Sequence, residues 1–162
     1  MEIRPWQCGD ELLAVAAEQF ISPSSLANRF LAGVGDHLPS WYLRHISLGP
    51  RDAWEAQGAV GEGHLLGWAE LGRTPGRPTV ADFAVIVADP WQRQGVASAL
   101  VCALIPMALA AGDVQLSADA LPGNRAVHGL LASVFGPDLN WRYEDGVVHY
   151  ELPLREPALT CF

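Results

Sequence analysis

The chain contains 162 residues, half of them apolar and 17% charged, with a formal net charge of −8. This length suits one domain with one buried core, and the composition is globular, without a disordered block. The negative charge argues against nucleic-acid binding, which requires a basic surface. It favours a cationic partner or simply serves solubility. We therefore predict a single domain over residues 1–162.

Cysteine usage and hydropathy indicate the compartment. Cys8, Cys102 and Cys161 show no metal-ligand spacing, and their odd number favours a reducing compartment, here the cytoplasm. The histidines also lack metal-ligand spacing, so no metal site is predicted. The apolar segment Val96–Ala111 is shorter than the ~20 residues of a membrane-spanning helix and contains Pro106. We expect it to be a core helix, without membrane association.

The first third of the chain is predicted to be mostly helical, because its apolar residues recur with helical spacing. Asp10 and Ser22 are suited to capping helices, and Pro23 suits a first helical position. The predicted face of the first helix contains Leu12, Leu13, Ala16, Ala17 and Phe20. The predicted elements are a strand over Glu2–Trp6, a helix from Asp10 to Phe20, a helix from Pro23 to Gly33 or Gly35, and a helical turn over Pro39–Ile46.

From Arg51 onward the spacing favours strands, first antiparallel and then alternating with helices. The predicted strands are Ala53–Val60, Leu65–Leu71, a strand from Val80 that stops at Asp89-Pro90, Val114–Ala118, Trp141–Glu144 and Val147–Leu152, and the predicted helices are Val96–Ala111 and Asn124–Phe135. Pro106 is expected to kink the first of these helices or end it early. Asp145-Gly146 favours a type I′ hairpin turn, and the tail after Pro153 is expected to be loose. The order predicts a mixed α/β or α+β sheet.

The segment from the strand at Val80 to the following helix is the most informative part of the sequence. A β-prone run ends at Val87, a polar turn follows over Gln92–Ala97, and an apolar helix begins. The start of a helix has unpaired backbone N–H groups and a partial positive charge, so this arrangement binds anions. Gly95 and Ala97 are small enough for the backbone to approach a diphosphate closely. The segment predicts a site for a phosphate-bearing ligand.

These residues resemble the Gcn5-related N-acetyltransferase (GNAT) superfamily over nearly the whole chain. Its members bind acetyl-CoA through a Gln/Arg-x-x-Gly-x-Gly/Ala turn after the fourth strand, which Gln92, Gly95 and Ala97 match. Closer similarity to GNAT domains of bacterial protein-lysine acetyltransferases is carried by Ser22–Leu26, Arg29-Phe30, Ala81–Val85, Trp91-Gln92 and Asn124–Ala126. The resemblance implies the GNAT fold, a mixed, mostly antiparallel twisted sheet flanked by helices, with acetyl-CoA as co-substrate and no metal.

The resemblance also implies which residues bind acetyl-CoA. Backbone groups at Val85–Val87 would pair with the pantetheine arm like an added strand, where the fourth and fifth strands splay apart. A backbone N–H near Val87 would polarise the thioester. Amides of the turn and of the first helical turn would hold the diphosphate. The expected cofactor-binding residues are Val85, Ile86, Val87, Gln92, Arg93, Gln94, Gly95, Val96, Ala97, Ser98 and Asn124.

Catalysis requires a base, because an amine with a pKa of about 10.4 is neutral in only about one molecule in two thousand at pH 7. Asp82 is the first candidate, since related enzymes often carry a Glu at this place in the motif strand; a solvated strand-end carboxylate is the alternative. Glu70 on the preceding strand is the second candidate, provided that it faces the same cleft. Leu131 stands where many members of the family have a general-acid Tyr, which leaves solvent to protonate the thiolate.

We therefore predict an N-acetyltransferase that transfers an acetyl group from acetyl-CoA to a primary amine by direct attack in a ternary complex. The acceptor is either a protein lysine or a small-molecule amine. A homodimer is compatible with these features. The alternative is a non-catalytic acyl-CoA-binding or sensing module, because the usual Tyr is replaced and an Asp stands where a Glu is common.

Overall fold

The computed structural model describes residues 1–154. Residues 155–162, which include Cys161 and most of the predicted loose tail, lie outside the described residues. The strands are β1 (Glu2–Pro5), β2 (Trp54–Gly61), β3 (His64–Gly72), β4 (Val80–Val87), β5 (Gln115–Ala120), β6 (Asn140–Glu144) and β7 (Val147–Pro153). The α-helices are α1 (Asp10–Ala17), α2 (Pro23–Phe30), α3 (Ser40–Ser47), α4 (Val96–Ala110) and α5 (Arg125–Phe135).

The seven strands of the described part form one sheet in the order β1-β2-β3-β4-β5-β7-β6. Neighbouring strands are antiparallel except β4 and β5, which run parallel. Asp145 and Gly146 both have positive φ in the β6–β7 hairpin, as a type I′ turn requires. The predicted mixed, mostly antiparallel sheet flanked by helices is confirmed.

The parallel pair β4–β5 is short. Only Val80–Asp82 pairs with Gln115–Ser117. Beyond these residues β4 continues beside β3 as far as Val87, while β5 continues beside β7 as far as Ala120. The two strands therefore splay apart after Asp82, which leaves one edge of β4 without a strand partner among residues 1–154.

Helices cover the two faces of the sheet and create two apolar cores. On one face α4 and α5 pack against the sheet, and Leu100, Leu104 and Leu131 are fully buried there. On the other face α1, α2 and α3 surround Trp68 and Tyr42. Side chains of β4 alternate between these cores, so a residue at an odd position faces α4 and a residue at an even position faces α1–α3.

The first helix differs from the prediction in its cap and its buried face. Asp10 does not cap α1; the preceding glycine occupies that position, and the Asp10 carboxylate accepts two hydrogen bonds from Arg4, at 2.7 and 2.8 Å. Leu12 is 70% exposed, whereas Ala14 and Ala17 are buried. The ion pair between Asp10 and Arg4 of β1 fixes the rotation of α1. The spacing of apolar residues could not predict this rotation, because it does not show the ion pair.

Two helix ends also differ from the prediction. The α-helical part of α1 ends at Ala17, and Glu18–Phe20 continues as a 3₁₀ turn. Helix α2 ends at Phe30, since Leu31 adopts a left-handed conformation with φ of 58°. Helix α4 continues through Pro106 to Ala110, with Ala111 as its C-cap, so it does not end early and its end agrees with the predicted one. No helix within residues 1–154 has the length and apolar character needed to span a membrane.

A close approach of two strands fixes the position of the end of β4. A Cβ atom at Gly67 of β3 would lie 2.6 Å from the Ile86 carbonyl oxygen, closer than any side chain tolerates. Glycine therefore allows β3 to pair closely with β4 as far as Val87. This pairing holds the strand that carries the free edge.

Candidate functional site

A first cavity of about 470 Å³ lies beside the unpaired half of β4. Its walls come from α2, the end of β4, the loop that follows, the N-terminal part of α4, and α5. The lining residues include Ser25, Asn28, Arg29, Val85, Ile86, Val87, Gln92, Arg93, Gly95, Ala97, Ser98 and Asn124. The volume is in the range of small-molecule and cofactor sites.

The free edge of β4 presents backbone groups to this cavity. The Ala88 N–H donates to the Leu66 carbonyl at 2.9 Å, so hydrogen-bonded positions of the antiparallel β3–β4 pair fall on even residues of β4. The backbone groups of Ile86 consequently point toward β3, and those of Val85 and Val87 point away from it. An extended ligand can pair with these two residues as an added strand.

Helix α4 begins at the cavity with an open N-terminus. Gly95 occupies the N-cap position with φ of 83°, and Ala99 is the first residue whose N–H bonds back into the helix, at 3.0 Å from the Gly95 carbonyl. The N–H groups of Val96, Ala97 and Ser98 have no helical acceptor, and the first turn contains no acidic residue. These amides and the helix dipole form an anion site.

Two side chains of the loop before α4 complete this surface. The Gln94 side-chain amide donates to the Pro90 carbonyl at 2.7 Å and so stabilises the turn. Arg93 has a positive φ of 58° and an exposed side chain that makes no hydrogen bond or ion pair within residues 1–154. Its guanidinium is available for a phosphate group, which it can bind through two hydrogen bonds.

A hydrogen-bonded cluster connects α2 to the same loop. The Gln92 side-chain amide donates to the Val87 carbonyl at 2.9 Å and lies 3.1 Å from both Ser25 Oγ and Asp89 Oδ1. The Ser25 hydroxyl donates to Asp89 at 2.7 Å. Ser22 caps α2 by accepting a hydrogen bond from the Ser25 N–H. The cluster holds α2 across the first cavity from the free edge of β4.

A second cavity of about 380 Å³ lies beside β3, β4 and α3. Its titratable lining side chains are Arg29, His45, Arg51, Glu70, Arg73 and Asp82. Arg29 borders both cavities, so they adjoin at this side chain. One cavity offers a strand edge and an anion site, and the other offers carboxylates and guanidinium groups.

The family is decided by a match over residues 23–136 to the acetyltransferase (GNAT) family, which covers more than half of the chain. The chain belongs to the GNAT acetyltransferase family. It is therefore an acyltransferase, and the co-substrate is acetyl-CoA. No curated protein sequence matches the chain.

Solved structures agree with the GNAT fold. The GNAT domain of PAT from S. lividans is 23% identical with a TM-score of 0.83, over 94% of this chain and 89% of that one. The ribosomal-protein-alanine N-acetyltransferase from Brucella melitensis is 21% identical with a TM-score of 0.69, over 95% of this chain and 100% of that one. YncA from Salmonella typhimurium, a putative acetyltransferase solved with acetyl-CoA, is 17% identical with a TM-score of 0.69, over 96% of each chain.

The GNAT fold brings most of the expected cofactor-binding residues together. All of them line the first cavity except Gln94 and Val96. Val96 is buried in the core and contributes a backbone amide, whereas Gln94 supports the turn from outside. Asn124 caps α5 by accepting a hydrogen bond from the Val127 N–H at 3.2 Å. Within residues 1–154, no cluster of three or more His, Cys, Asp or Glu side chains could hold a metal ion.

Asp82 lies where β4 and β5 begin to diverge. Its Oδ1 accepts a hydrogen bond from Arg77 at 2.8 Å and another from the Ser117 hydroxyl. No residue among 1–154 donates to its Oδ2, and the side chain is 45% exposed. One carboxylate oxygen is thus fixed, and the other is left without a donor among the described residues, on a side chain that lines the second cavity.

Glu70 faces the same cavity as Asp82, as its candidate role requires, but its oxygens are already occupied. It forms an ion pair with Arg29 and accepts hydrogen bonds from the Tyr42 hydroxyl at 2.9 Å and from Trp54 Nε1 at 3.2 Å. Burial raises the pKa of Tyr42, which keeps its hydroxyl protonated as a donor. This geometry favours a positioning role for Glu70 over proton transfer.

Arg29 is the site residue whose role the sequence did not reveal. Its guanidinium pairs with Glu70 and lies 4.9 Å from the ring centre of Phe30 and 5.2 Å from that of Tyr42. The sequence contained one indication of such a cation. Glu70 is the one acidic residue in the apolar sequence of β3, and a buried carboxylate requires a cation. Sequence spacing could not identify that cation, since it comes from a distant helix.

Leu131 and His128 on α5 do not provide an alternative acid at the first cavity. Leu131 is fully buried in the core beneath α5. The His128 ring lies 3.3 Å from the Tyr150 hydroxyl. Neither His128 nor Tyr150 lines the first cavity. The described lining therefore contains no tyrosine that could protonate a leaving thiolate.

His45 and Arg51 form the outer wall of the second cavity. Arg51 Nη2 lies 2.8 Å from His45 Nδ1, so the imidazole accepts this hydrogen bond through an unprotonated nitrogen. Burial and the positive charges of Arg51 and Arg29 lower the pKa of His45 below its usual value. His45 is therefore neutral at pH 7.

Replacing Glu70 tests whether it holds Arg29. Glu70→Gln leaves the Arg29 guanidinium buried without its carboxylate, so we expect a loss of about 3–5 kcal/mol of unfolding free energy, measured by urea unfolding. Glu144→Gln, which removes an exposed ion pair with Arg142, is the control and should change stability by less than about 0.5 kcal/mol. Equal effects of the two substitutions would contradict the assigned role of Glu70.

The lowered pKa of His45 predicts a pH dependence of stability. The unfolded chain binds a proton at His45 as pH falls through about 6.5, whereas the folded protein resists it, so His45 destabilises the fold toward acid pH. We expect His45→Asn, which keeps an acceptor for Arg51, to reduce the loss of stability between pH 7.5 and about 5.5, measured by urea unfolding. His37→Asn is the control: nearby acids raise the pKa of His37, so its contribution has the opposite sign. A steeper pH dependence in His45→Asn would contradict this account.

Proposed function

We propose that this GNAT protein transfers an acetyl group from acetyl-CoA to a primary amine in a ternary complex, with the donor in the first cavity and the acceptor in the second. The observation that carries the proposal is the meeting of the two cavities at Arg29, next to the free edge of β4. A direct transfer requires both substrates to reach one point at the same time. Arg29 marks that point.

The residues of the first cavity fit acetyl-CoA. Val85 and Val87 would pair with the amide groups of the pantetheine arm, because their backbone groups point away from β3. The amides at the start of α4 would bind the diphosphate, and Arg93 would add a charged contact. A Cβ atom at Gly95 would meet no atom within 4 Å, so the approach to the turn is open.

Asp82 is the proposed general base. Acetyl-CoA supplies the acyl group as a thioester; the amine nitrogen bonds to its carbonyl carbon, the C–S bond breaks, and one proton leaves the amine. The free Oδ2 of Asp82 would take this proton, directly or through a water molecule. Arg77 and Ser117 hold the other oxygen, so the carboxylate is oriented before the acceptor binds.

Charge that develops on the donor would be stabilised by two groups at the junction. The N–H of Val85, which lies nearer than Val87 to Asp82 along β4, would donate to the thioester oxygen, as an oxyanion hole does. Arg29 would place a positive charge near the leaving thiolate, which solvent then protonates. Glu70 would act through Arg29 by holding the guanidinium in place.

Substitution of Asp82 tests the role of the base. We expect Asp82→Asn to lower kcat by about 10²–10⁴-fold, because the amine can no longer lose its proton to a carboxylate. Thiol release with a panel of primary amines measures the rate, and calorimetry should show unchanged acetyl-CoA affinity. Asp119→Asn on β5, an exposed carboxylate paired with His149, is the control that should retain full activity.

Two outcomes would contradict different parts of this proposal. If Asp82→Asn keeps the wild-type rate and pH profile, another group removes the proton. If the wild-type protein binds acetyl-CoA but releases no thiol with any amine, the transfer to amines is wrong.

A further inference from the structure

Arg51 differs in its partners from the other charged side chains that line the second cavity. Each of the others forms an ion pair: Arg29 with Glu70, Asp82 with Arg77, and Arg73 with both Glu55 and Asp113. Arg51 alone among the charged lining residues has no carboxylate partner within residues 1–154. Counted together with their ion-pair partners, the charged lining residues carry no net charge, because Arg73 has two carboxylate partners and Arg51 has none. Arg51 is therefore the lining cation without a carboxylate of its own.

The surroundings of Arg51 hold its guanidinium in place without neutralising it. Nη1 donates to the Gly49 carbonyl at 2.9 Å, and Nη2 donates to His45 Nδ1 at 2.8 Å. The guanidinium also lies 5.4 Å from the ring centre of Trp54. These partners are uncharged, so Arg51 is a preorganised cation with hydrogen-bond donors remaining for an anion.

We propose that the acceptor carries a carboxylate near its primary amine and that Arg51 binds this carboxylate in the second cavity. The inference rests on the proposed function, since it places the amine at the free Oδ2 of Asp82. Asp82 and Arg51 line the same cavity and have opposite charges, which matches an acceptor with an ammonium group and a carboxylate. A guanidinium and a carboxylate form a charge-assisted, bidentate contact.

The same charge disfavours acceptors that are only cationic. A polyamine in this cavity would bring its second ammonium group toward Arg51 and the other guanidinium groups, where like charges repel. Two sources provide the required chemistry: a free amino acid, or a lysine beside an acidic residue in a peptide. In both, one molecule carries a primary amine and a carboxylate that can enter the same cavity.

Matched pairs of amines test the inference through thiol release. One arm compares an amino acid with the amine formed by its decarboxylation, and the other compares lysine peptides with a Glu or a Gln beside the lysine. In at least one arm, we expect kcat/KM to favour the carboxylate member by about tenfold or more, as a hydrogen-bonded charge pair provides. The arm that shows the preference identifies the source.

Arg51→Gln should remove this preference while the KM for acetyl-CoA stays unchanged, because Arg51 does not line the first cavity. Arg44→Gln, which removes an exposed charge from α3, the helix that carries the Arg51 partner His45, should keep the preference. Butyrate, a carboxylate without an amine, should inhibit the wild-type protein competitively against the acceptor. This inhibition supports the inference even if Arg51→Gln fails to fold.

Four results would overturn the inference. Equal kcat/KM values within every pair, a preference that persists in folded Arg51→Gln, or absence of competitive inhibition would each do so while leaving amine acetylation intact. A wild-type protein that binds acetyl-CoA and acetylates no amine would overturn the proposed function, and this inference with it.

Discussion

The short parallel pairing between β4 and β5 is the constraint on which the site depends. Each strand keeps a long antiparallel partner on its other side, β3 for β4 and β7 for β5. These partners diverge with the twist of the sheet, so the parallel contact ends at Asp82 and Ser117. Beyond that point a strand edge is left open, and the first cavity forms beside it.

A buried ion pair connects this opening to the second cavity. The guanidinium of Arg29 reaches both cavities because Glu70, Tyr42 and the cation–π contacts hold it. Burying two charges costs desolvation energy, and well-packed apolar residues often stabilise a fold as well. The pair is therefore better explained by its position between donor and acceptor than by stability. Arg51 extends this polar wall with a guanidinium that has no carboxylate partner among residues 1–154.

The sequence predicted the parts of the fold that depend on local patterns. The strand, turn and helix around Gly95 follow from residue type and spacing, and so does the cap at Ser22. One error arose where a distant partner decides, because Arg4 binds Asp10 and turns α1. The other lies at the end of α2, where Leu31 adopts a left-handed conformation before any glycine. The same difference between local patterns and tertiary contacts decides which parts of the site could be predicted. Backbone contacts of the first cavity were predictable, whereas the pairing of Arg29 with Glu70 depends on a tertiary contact that no local pattern encodes.

The central claim is that acetyl-CoA occupies the edge of β4 and the start of α4. Backbone amide chemical shifts of ¹⁵N-labelled protein, followed while acetyl-CoA is added, test it residue by residue. The account predicts the largest changes at Val85, Val87 and Gly95–Ser98, with α3 and Arg51 nearly unaffected. Changes concentrated around Arg51, or spread without relation to the first cavity, would contradict it.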